Sequence, residues 1–383
     1  MVAPHYSAGL IGCCLNNSKT RKPAHDAGFF VSRYRILNLR SKSKMNATLE
    51  KLYKGQDLST QETSDFFKEI FSGKVDPVIL SSFLTALKMN GYTADEIGGA
   101  ASAMIAAAKP FERDRSIDVG EIVGTGGDCL HTINISTMAA IVCATLGLHV
   151  AKHGNTAVSS KSGASDVLTA LGYDIRCDEK LTRKNLEEKG FAFFFAQVYH
   201  SGMRFAGPVR KALGTSTIFN ILGPLTNPAR VNYELLGCYA PELLVTLAKA
   251  MRITGVERGM VINGNGMDEI SVFGQTKVAE YGKDGEIKEY TLTNKDFGIT
   301  GSYTQDMLKG GDAAQNARIA REVLSGKGTD AQRDVVCVNA SAMLHLAGKS
   351  SSFKEGYEMA RQALSDGKCI ERLEEIVAIS QGK

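Results

Sequence analysis

Residues 121–137 read EIVGTGGDCLHTINIST and place three features in one short stretch. A strand-like run, Glu121–Val123, is followed directly by the glycine-rich turn Gly124–Asp128. Asn134–Thr137 then opens a run of residues with helical character. A strand that leads through a glycine-rich turn into a helix is the repeating unit of α/β domains. The stretch therefore predicts an α/β fold with a mainly parallel central sheet.

The same alternation continues toward the C-terminus. Short apolar runs predict further buried strands at Leu148–Ala151, Phe191–Ala196 and Met260–Ile262. Helices are predicted at Ser136–Leu146, Ser165–Leu171, Ala313–Leu324, Asp330–Leu346 and Phe353–Leu364. Two alternating runs, Lys277–Tyr281 and Glu286–Leu292, flank a turn at Gly282–Gly285 and predict a hairpin. We expect one large α/β domain over residues 116–383.

Residues 45–115 have a different pattern, in which apolar residues recur at helical spacing. Ser59 with Glu62, and Thr93 with Glu96, have the spacing of capping boxes that start helices. Asp76 followed by a proline is an N-cap with a first-turn proline. We expect a small all-α domain here, packed on the α/β domain.

The formal net charge of +4 comes from the first 44 residues. These hold eight Lys or Arg and one acidic residue, which leaves 37 basic and 40 acidic residues in the rest of the chain. A mildly acidic body offers no basic surface to nucleic acid, so we expect no nucleic-acid partner. The apolar runs are shorter than the roughly 20 residues of a membrane span, and we expect no membrane partner.

Residues 1–44 lack apolar periodicity and are basic, which resembles an organellar transit peptide. The alternative, which we favour, is that translation starts at Met45; in both cases we place this extension outside the fold. The eight cysteines contain no CxxC pair and no metal-ligand spacing. This usage favours a reduced protein, and we expect a cytoplasmic location.

Three turns that follow strands have residues suited to phosphate. The glycines of Gly124–Asp128 let backbone N–H groups approach an anion, although many such turns are only turns. Asn134–Thr137 places amide and hydroxyl groups at a helix N-terminus, where an ordinary N-cap is the alternative. The segment Lys152–Gly163 also leads from a strand to a helix, although a surface Lys152 would be only a solvated charge. Because such turns converge at the carboxyl ends of parallel strands, we favour a phosphate site.

Asp268 and Glu269 follow another predicted strand and form an adjacent pair of carboxylates. Carboxylate oxygens are ligands that Mg²⁺ prefers, and the ion often bridges to substrate phosphates. A solvated acidic pair is the alternative for these two residues alone. The phosphate-binding turns nearby favour Mg²⁺ as the cofactor.

The motifs GTGGD (124–128), NIST (134–137), KHGN (152–155), TIFNILGPLTNP (217–228) and GMDE (266–269) occur in this order. In order and spacing, the chain from about Met45 to near its C-terminus resembles the anthranilate phosphoribosyltransferase family. The resemblance implies transfer of the phosphoribosyl group of phosphoribosyl pyrophosphate to the amine of anthranilate, in tryptophan biosynthesis. It also implies that a segment near residues 208–230 returns to the helical domain, and that a homodimer forms through that domain.

The resemblance also implies the roles of individual residues. Those expected to bind phosphoribosyl pyrophosphate are Gly124, Gly127, Asp128, Thr132, Asn134, Ile135, Ser136, Thr137, Lys152, His153, Gly154, Asn155, Thr156, Ala157, Val158, Ser159, Ser160 and Ala164. Gly124, Asn155 and Arg210 would meet anthranilate, with His153 close by, and Ser136, Asp268 and Glu269 would hold Mg²⁺. No side chain is assigned as a catalytic group, because the amine of the substrate is the nucleophile.

Two positions depart from the family pattern. Relatives usually have arginine after KHGN and often before TIFN, whereas this chain has Thr156 and Ser216. Two other kinds of protein are alternatives for this architecture: a pyrimidine nucleoside phosphorylase and a noncatalytic nucleic-acid-binding relative. The acidic pair Asp268–Glu269 argues against the first, and the acidic body argues against the second.

Overall fold

The computed structural model describes residues 45, 47–156 and 161–383. Residues 48–383 form one compact unit. The extension at residues 1–44 and four predicted site residues lie outside the described part: Ala157, Val158, Ser159 and Ser160. No helix within the described ranges is both long enough and apolar enough to cross a membrane.

The first part of this unit is helical. A short helical segment at residues 48–53 precedes α1 (Thr60–Phe71), α2 (Pro77–Asn90) and α3 (Ala94–Ala107). The three predicted helix starts are confirmed, because both capping boxes are closed and Asp76 accepts a hydrogen bond from the Val78 amide. The rings of Phe66 and Phe83 stack with their centroids 3.8 Å apart and hold α1 against α2.

A seven-stranded sheet organises the rest of the unit, with strand order β3-β2-β1-β4-β5-β6-β7. The strands are β1 (Val119–Gly124), β2 (His149–Gly154), β3 (Phe191–Phe195), β4 (Tyr233–Gly237), β5 (Arg258–Gly264), β6 (Thr276–Tyr281) and β7 (Ile287–Leu292). The first five strands of the row are parallel, and β6 and β7 form the predicted antiparallel hairpin at one edge. The predicted fold class, a small helical domain with a mainly parallel α/β domain, is confirmed.

Helices follow most strands and cover the sheet. They are α4 (Ile135–Thr145), α5 (Ala164–Ala170), α6 (Glu179–Lys189), α7 (Ala196–Tyr199), α8 (Gly207–Leu213), α9 (Phe219–Leu222), α10 (Leu244–Ile253), α11 (Ala313–Leu324), α12 (Asp330–Leu346), α13 (Phe353–Ser365) and α14 (Lys368–Ser380). α4 and α12 pack against each other and are buried along most of their length. α9 returns to the helical part, where the Phe219 ring lies 5.5 Å from that of Phe67.

The sequence prediction missed β4 and six helices: α6, α7, α8, α9, α10 and α14. β4 lies inside the sheet, and a charged residue, Glu234, interrupts its short apolar run. α6 is mostly charged and buries only Thr182, Asn185 and Leu186, so it has no apolar stripe. α14 buries apolar residues at helical spacing, so this helix could have been predicted from the sequence.

Candidate active site

The strand order of the sheet places a crevice beside β1. β2 and β3 lie on one side of β1, whereas β4 and β5 lie on the other, so the order reverses between β1 and β4. In open α/β sheets, ligands bind outside the carboxyl ends of the strands at such a reversal. The turn after β1 is held there, because the Thr125 amide donates to the Gly237 carbonyl over 2.9 Å.

The acidic pair after β5 contacts two of the predicted phosphate turns. Asp268 Oδ2 accepts a hydrogen bond from the Gly126 amide over 2.7 Å, and Glu269 Oε1 accepts one from the Ser136 amide over 3.0 Å. A Cβ atom at Gly124 would overlap the Asp268 carboxylate, so this approach requires glycine. The structure therefore brings the turns after β1 and before α4 together with the carboxylates after β5.

Burial makes the negative charge of this pair costly. It raises the pKa of Asp268 to about 7, with Asp128 contributing a smaller repulsion. Burial also raises the pKa of Glu269 to about 8, with a smaller contribution from Asp268. A cation bound beside the two carboxylates would favour their ionised forms. The donor chemistry of this pair therefore fits a divalent metal ion.

Lys152 contributes a positively charged side chain to this cluster. Its buried Nζ donates to the Ile122 carbonyl over 2.9 Å and to Ser136 Oγ over 3.1 Å. Burial lowers the pKa of Lys152, while the charges of Glu269, Glu121 and Asp268 act in the opposite direction. Lys152 carries at most one positive charge beside three carboxyl groups, so a further cation would be attracted to their ionised forms.

The acidic pair alone is an incomplete metal site. Within the described ranges, no group of three or more His, Cys, Asp or Glu side chains is placed to hold a metal ion. A metal ion at Asp268 and Glu269 would need additional oxygen ligands, such as the Ser136 hydroxyl and substrate phosphates. Mg²⁺ is commonly held in this way, by one or two carboxylates together with phosphate oxygens.

Two buried imidazoles lie beside the end of β2. The rings of His153 and His200 have their centroids 5.0 Å apart. Burial lowers the pKa of His153 to about 3 and that of His200 to about 4, so both are neutral near pH 7. His153 Nδ1 lies 3.1 Å from the Gly223 carbonyl, which can only accept, so Nδ1 carries the proton. His153 Nε2 is then an acceptor, and it is buried without a partner among the described residues.

Glu121 connects this region to the segment that returns to the helical domain. Its Oε1 accepts a hydrogen bond from the His153 amide over 2.8 Å, and its Oε2 accepts one from Asn227 Nδ2 over 2.6 Å. The same Asn227 nitrogen also donates to the Ala151 carbonyl. Glu121 therefore fixes β2 and the 217–228 segment relative to β1.

Asn155 and Thr156 lie directly beyond β2. Asn155 Oδ1 accepts hydrogen bonds from the Thr156 amide over 2.8 Å and from Gln197 Nε2 over 3.2 Å. Gln197 is at the start of α7, beyond the neighbouring strand β3. The polar groups at the ends of β2 and β3 thus form one connected cluster.

Comparison with known proteins adds to this geometry. The glycosyl transferase family, a/b domain, matches residues 116–370, and the helical bundle domain of the same family matches residues 46–108. Anthranilate phosphoribosyltransferase from Tolumonas auensis is 48% identical over 336 residues, which cover 88% of this chain and 99% of that protein. The relative of that name from Psychromonas ingrahamii is 49% identical over 341 residues, covering 89% and 99%.

Solved structures agree with these sequence matches. Anthranilate phosphoribosyltransferase from Thermus thermophilus superimposes with a TM-score of 0.82 at 40% identity, covering 87% of this chain and 99% of that one. The Saccharomyces cerevisiae enzyme, in complex with PRPP and Mg, has a TM-score of 0.81 at 30% identity, covering 89% and 99%.

The chain belongs to the anthranilate phosphoribosyltransferase family. It is therefore a glycosyltransferase of tryptophan biosynthesis.

Arg210, the predicted anthranilate contact of this family member, lies on α8. Its guanidinium group is 5.2 Å from the centre of the Phe219 ring and is half-buried. Burial lowers the pKa of Arg210. The side chain makes no hydrogen bond or ion pair with the described residues, so it is available to a carboxylate.

The other predicted site residues lie at strand ends, turns and helix starts. Gly127 has a φ of 86°, in the left-handed region that favours glycine, and Asp128 accepts a hydrogen bond from the Leu130 amide. Asn134 does not cap α4; its Oδ1 accepts from Asn316 and its Nδ2 donates to Ser162. Thr132, Ile135, Thr137, Gly154 and Ala164 lie in the turn after β1, in the first turn of α4, at the end of β2 and at the start of α5.

Sequence reasoning missed His200, Gln197 and Glu121. Nothing next to His200 or Gln197 in the sequence indicates their partners, which follow a different strand. Glu121 was visible as an acidic residue inside a predicted strand. A charge at a buried strand position requires a hydrogen-bond partner, and that was the signal available.

Proposed function

We propose that this cleft is the place where the enzyme transfers the phosphoribosyl group of phosphoribosyl pyrophosphate to the amine of anthranilate. One observation carries the proposal: the carboxylates of Asp268 and Glu269 contact the amides of Gly126 and Ser136 at the reversal of strand order. These contacts place carboxylates suited to a metal ion beside two turns whose other backbone N–H groups can donate to phosphate. Pyrophosphate that carries a divalent cation needs both kinds of group.

Ser136, Asp268 and Glu269 would hold Mg²⁺. The Saccharomyces cerevisiae relative was solved in complex with PRPP and Mg, which supports the use of this ion by the family. In the present chain, the contacts of both carboxylates with the predicted phosphate turns support a cation at this position. Bound Mg²⁺ would supply positive charge to the departing pyrophosphate.

The protein's own groups would bind and orient phosphoribosyl pyrophosphate. Backbone N–H groups of the 124–128 turn and the N-terminus of α4 donate toward anions. The buried ammonium of Lys152 lies against Ser136 and adds positive charge to the same turn. The remaining predicted contacts, including the 157–160 loop, stay a prediction.

Anthranilate would lie between α8 and the end of β2. Arg210 offers a planar guanidinium group, without an ion pair among the described residues, to the carboxylate of the substrate. Neutral His153 offers Nε2 as an acceptor to the amine. Because that amine attacks the ribose directly, the chain needs no covalent nucleophile, and positioning dominates catalysis.

The helical domain would form the homodimer interface. Val78 and Met89 of α2 are 76% and 78% exposed, and Tyr53 is 55% exposed. Tyr53 is attached to the same helix by a hydrogen bond to Ser82, so the three side chains belong to one surface. Exposed apolar side chains of this kind are typical of interfaces. The cytoplasmic location stays a prediction.

Loss of anthranilate fluorescence tests the proposed function directly. The purified chain should consume anthranilate when phosphoribosyl pyrophosphate and Mg²⁺ are both present, and should release pyrophosphate in equal amount. A parallel reaction with uridine and inorganic phosphate tests the phosphorylase alternative. No loss of fluorescence, or turnover only in the parallel reaction, would overturn the proposal.

A further inference from the structure

The amide of Asn155 has a single orientation that fits its neighbours. The Thr156 backbone N–H lies 2.8 Å from the atom assigned as Asn155 Oδ1. A backbone N–H can only donate, so this atom must be the oxygen rather than the nitrogen. The orientation of the Asn155 side chain therefore follows from the geometry of the turn.

Gln197 completes the coordination of the same oxygen. Its Nε2 lies 3.2 Å from Asn155 Oδ1 and 3.5 Å from Thr156 Oγ1. The Thr156 amide and Gln197 make the two shorter contacts with this oxygen, and the Thr156 hydroxyl makes a longer one over 3.4 Å. The Gln197 carbonyl cannot face an oxygen that only accepts, so the orientation of Gln197 is fixed as well.

The two hydrogen bonds leave Asn155 with donors only. Its Nδ2 carries two N–H groups, and neither has a partner among the described residues. Asn155 and Gln197 lie just beyond paired ends of neighbouring strands, because Gly154 is the register partner of Phe195. This donor pair is therefore held at the carboxyl edge of the sheet, beside His153.

We propose that Gln197 is a positioning residue that holds Asn155 as a hydrogen-bond donor for the carboxylate of anthranilate. The inference rests on the proposed function and adds a determinant of specificity to it. An aromatic amine without an acceptor at the ortho position would leave the Asn155 N–H groups unpaired. Gln197 acts through Asn155 and does not itself contact the substrate.

Two substitutions of Gln197 test the proposal. Gln197→Ala removes the donor, whereas Gln197→Glu keeps the shape and turns two acceptors toward Asn155 Oδ1. We expect the KM for anthranilate to rise about threefold in the first variant and about tenfold in the second, as for the loss of one hydrogen bond. The kcat should stay within about twofold. Gln56→Glu, an exposed glutamine whose side chain makes no hydrogen bond in the described part of the chain, is the matched charge control and should change neither constant.

A double-mutant cycle separates positioning from a general structural effect. In an Asn155→Ala background, Gln197→Ala should change kcat/KM for anthranilate by less than about twofold, because the residue it orients is gone. If that background is too slow to assay, the KM-against-kcat split of the single variants decides. An unchanged KM in Gln197→Glu, an undiminished effect without Asn155, or a parallel loss of kcat and melting temperature would overturn the proposal. A wild-type chain that does not consume anthranilate would overturn the proposed function instead.

Discussion

Two pairs of acidic side chains lie at different depths of the same sheet. Asp268 and Glu269 follow β5, in the cleft at the carboxyl end of the strands. Glu121 and Glu234 are register partners inside β1 and β4 and are 0% and 1% exposed. Burial raises the pKa of all four carboxyl groups. Burial alone therefore does not distinguish a ligand site from a structural pair.

The neighbours of the two pairs make the difference. Asp268 is only half-buried, and the partners of its pair are amides of turns at the cleft, where a ligand has access. Both oxygens of Glu121 accept strong hydrogen bonds, whereas Glu234 Oε1 is buried without a partner in the described part of the chain. A bound cation can neutralise the first pair. The enclosed pair depends on a proton, which we place on Glu234.

The first prediction concerns the cleft pair and has the largest expected effect. Asp268→Asn combined with Glu269→Gln keeps the shapes of both side chains and removes their charge. We expect kcat to fall about a hundredfold to a thousandfold, because charge stabilisation at the leaving group is lost. Steady-state turnover at ordinary Mg²⁺ measures this. As a control, Glu374→Gln with Glu375→Gln changes an adjacent, exposed pair of acidic residues and should leave turnover unchanged. Near-normal turnover in the cleft variant would show that Asp268 and Glu269 do not take part in catalysis.

The second prediction is that substitutions of Glu121 and Glu234, the enclosed pair, change the free energy of unfolding by different amounts. Glu121→Gln must place an N–H group against either His153 N or Asn227 Nδ2, and we expect a loss of about 1–3 kcal/mol in the free energy of unfolding. Glu234→Gln replaces a protonated carboxyl group with an amide of similar shape and should cost less than about 1 kcal/mol. Urea denaturation at pH 7 compares the two variants. Equal losses would show that Glu234 is ionised in the folded protein.

The pH dependence of the melting temperature tests whether Glu234 carries the proton. A carboxyl group whose pKa is raised on folding binds its proton more tightly in the folded state. Its contribution to stability is therefore complete below the unfolded pKa, near 4.5, and is lost as pH rises toward the folded value. We expect the melting temperature of Glu234→Gln to fall less steeply above pH 5 than that of the wild type. Parallel curves would contradict this assignment of the proton.

Arg210 provides a third test, on the anthranilate side of the proposed site. Arg210→Ala should raise the KM for anthranilate about tenfold or more, because a charge-assisted hydrogen bond contributes about 1.5–3 kcal/mol. The KM for phosphoribosyl pyrophosphate should change much less. Arg204→Ala removes an exposed arginine that precedes α8 and serves as the control. Equal effects on both substrates would place Arg210 outside the anthranilate site.

The smallest effect is expected at the two positions that depart from the family pattern. Thr156→Arg would add a cation to the phosphate loop and should lower the KM for phosphoribosyl pyrophosphate by up to about tenfold. Ser216→Arg should have less effect, because Lys88 Nζ already lies 3.3 Å from Ser216 Oγ and 2.6 Å from Thr215 Oγ1. An unchanged or higher KM in Thr156→Arg would show that the loop is adapted to threonine.

The sequence alone predicted those elements that are determined by residues close together in the chain. Capping boxes, the hairpin turn and most buried strands depend on residues within a few positions of one another, and each was predicted correctly. β4 was missed because the partner of Glu234 is on another strand. The family motifs named Asp268 and Glu269, but not that they contact Gly126 and Ser136, which are 142 and 133 residues away. His200 and Gln197 were missed for the same reason, because such pairings require the folded sheet.

Thermal stabilisation by Mg²⁺ together with phosphoribosyl pyrophosphate tests the central claim most directly. A ligand at about a hundred times its dissociation constant stabilises a protein by about 2.7 kcal/mol. We expect the melting temperature of the wild type to rise by several degrees with both additives, and by much less with either one alone. The Asp268→Asn, Glu269→Gln variant should lose most of this rise and keep the melting temperature of the ligand-free protein. An equal rise in the variant would contradict the assignment of the metal and pyrophosphate to this pair.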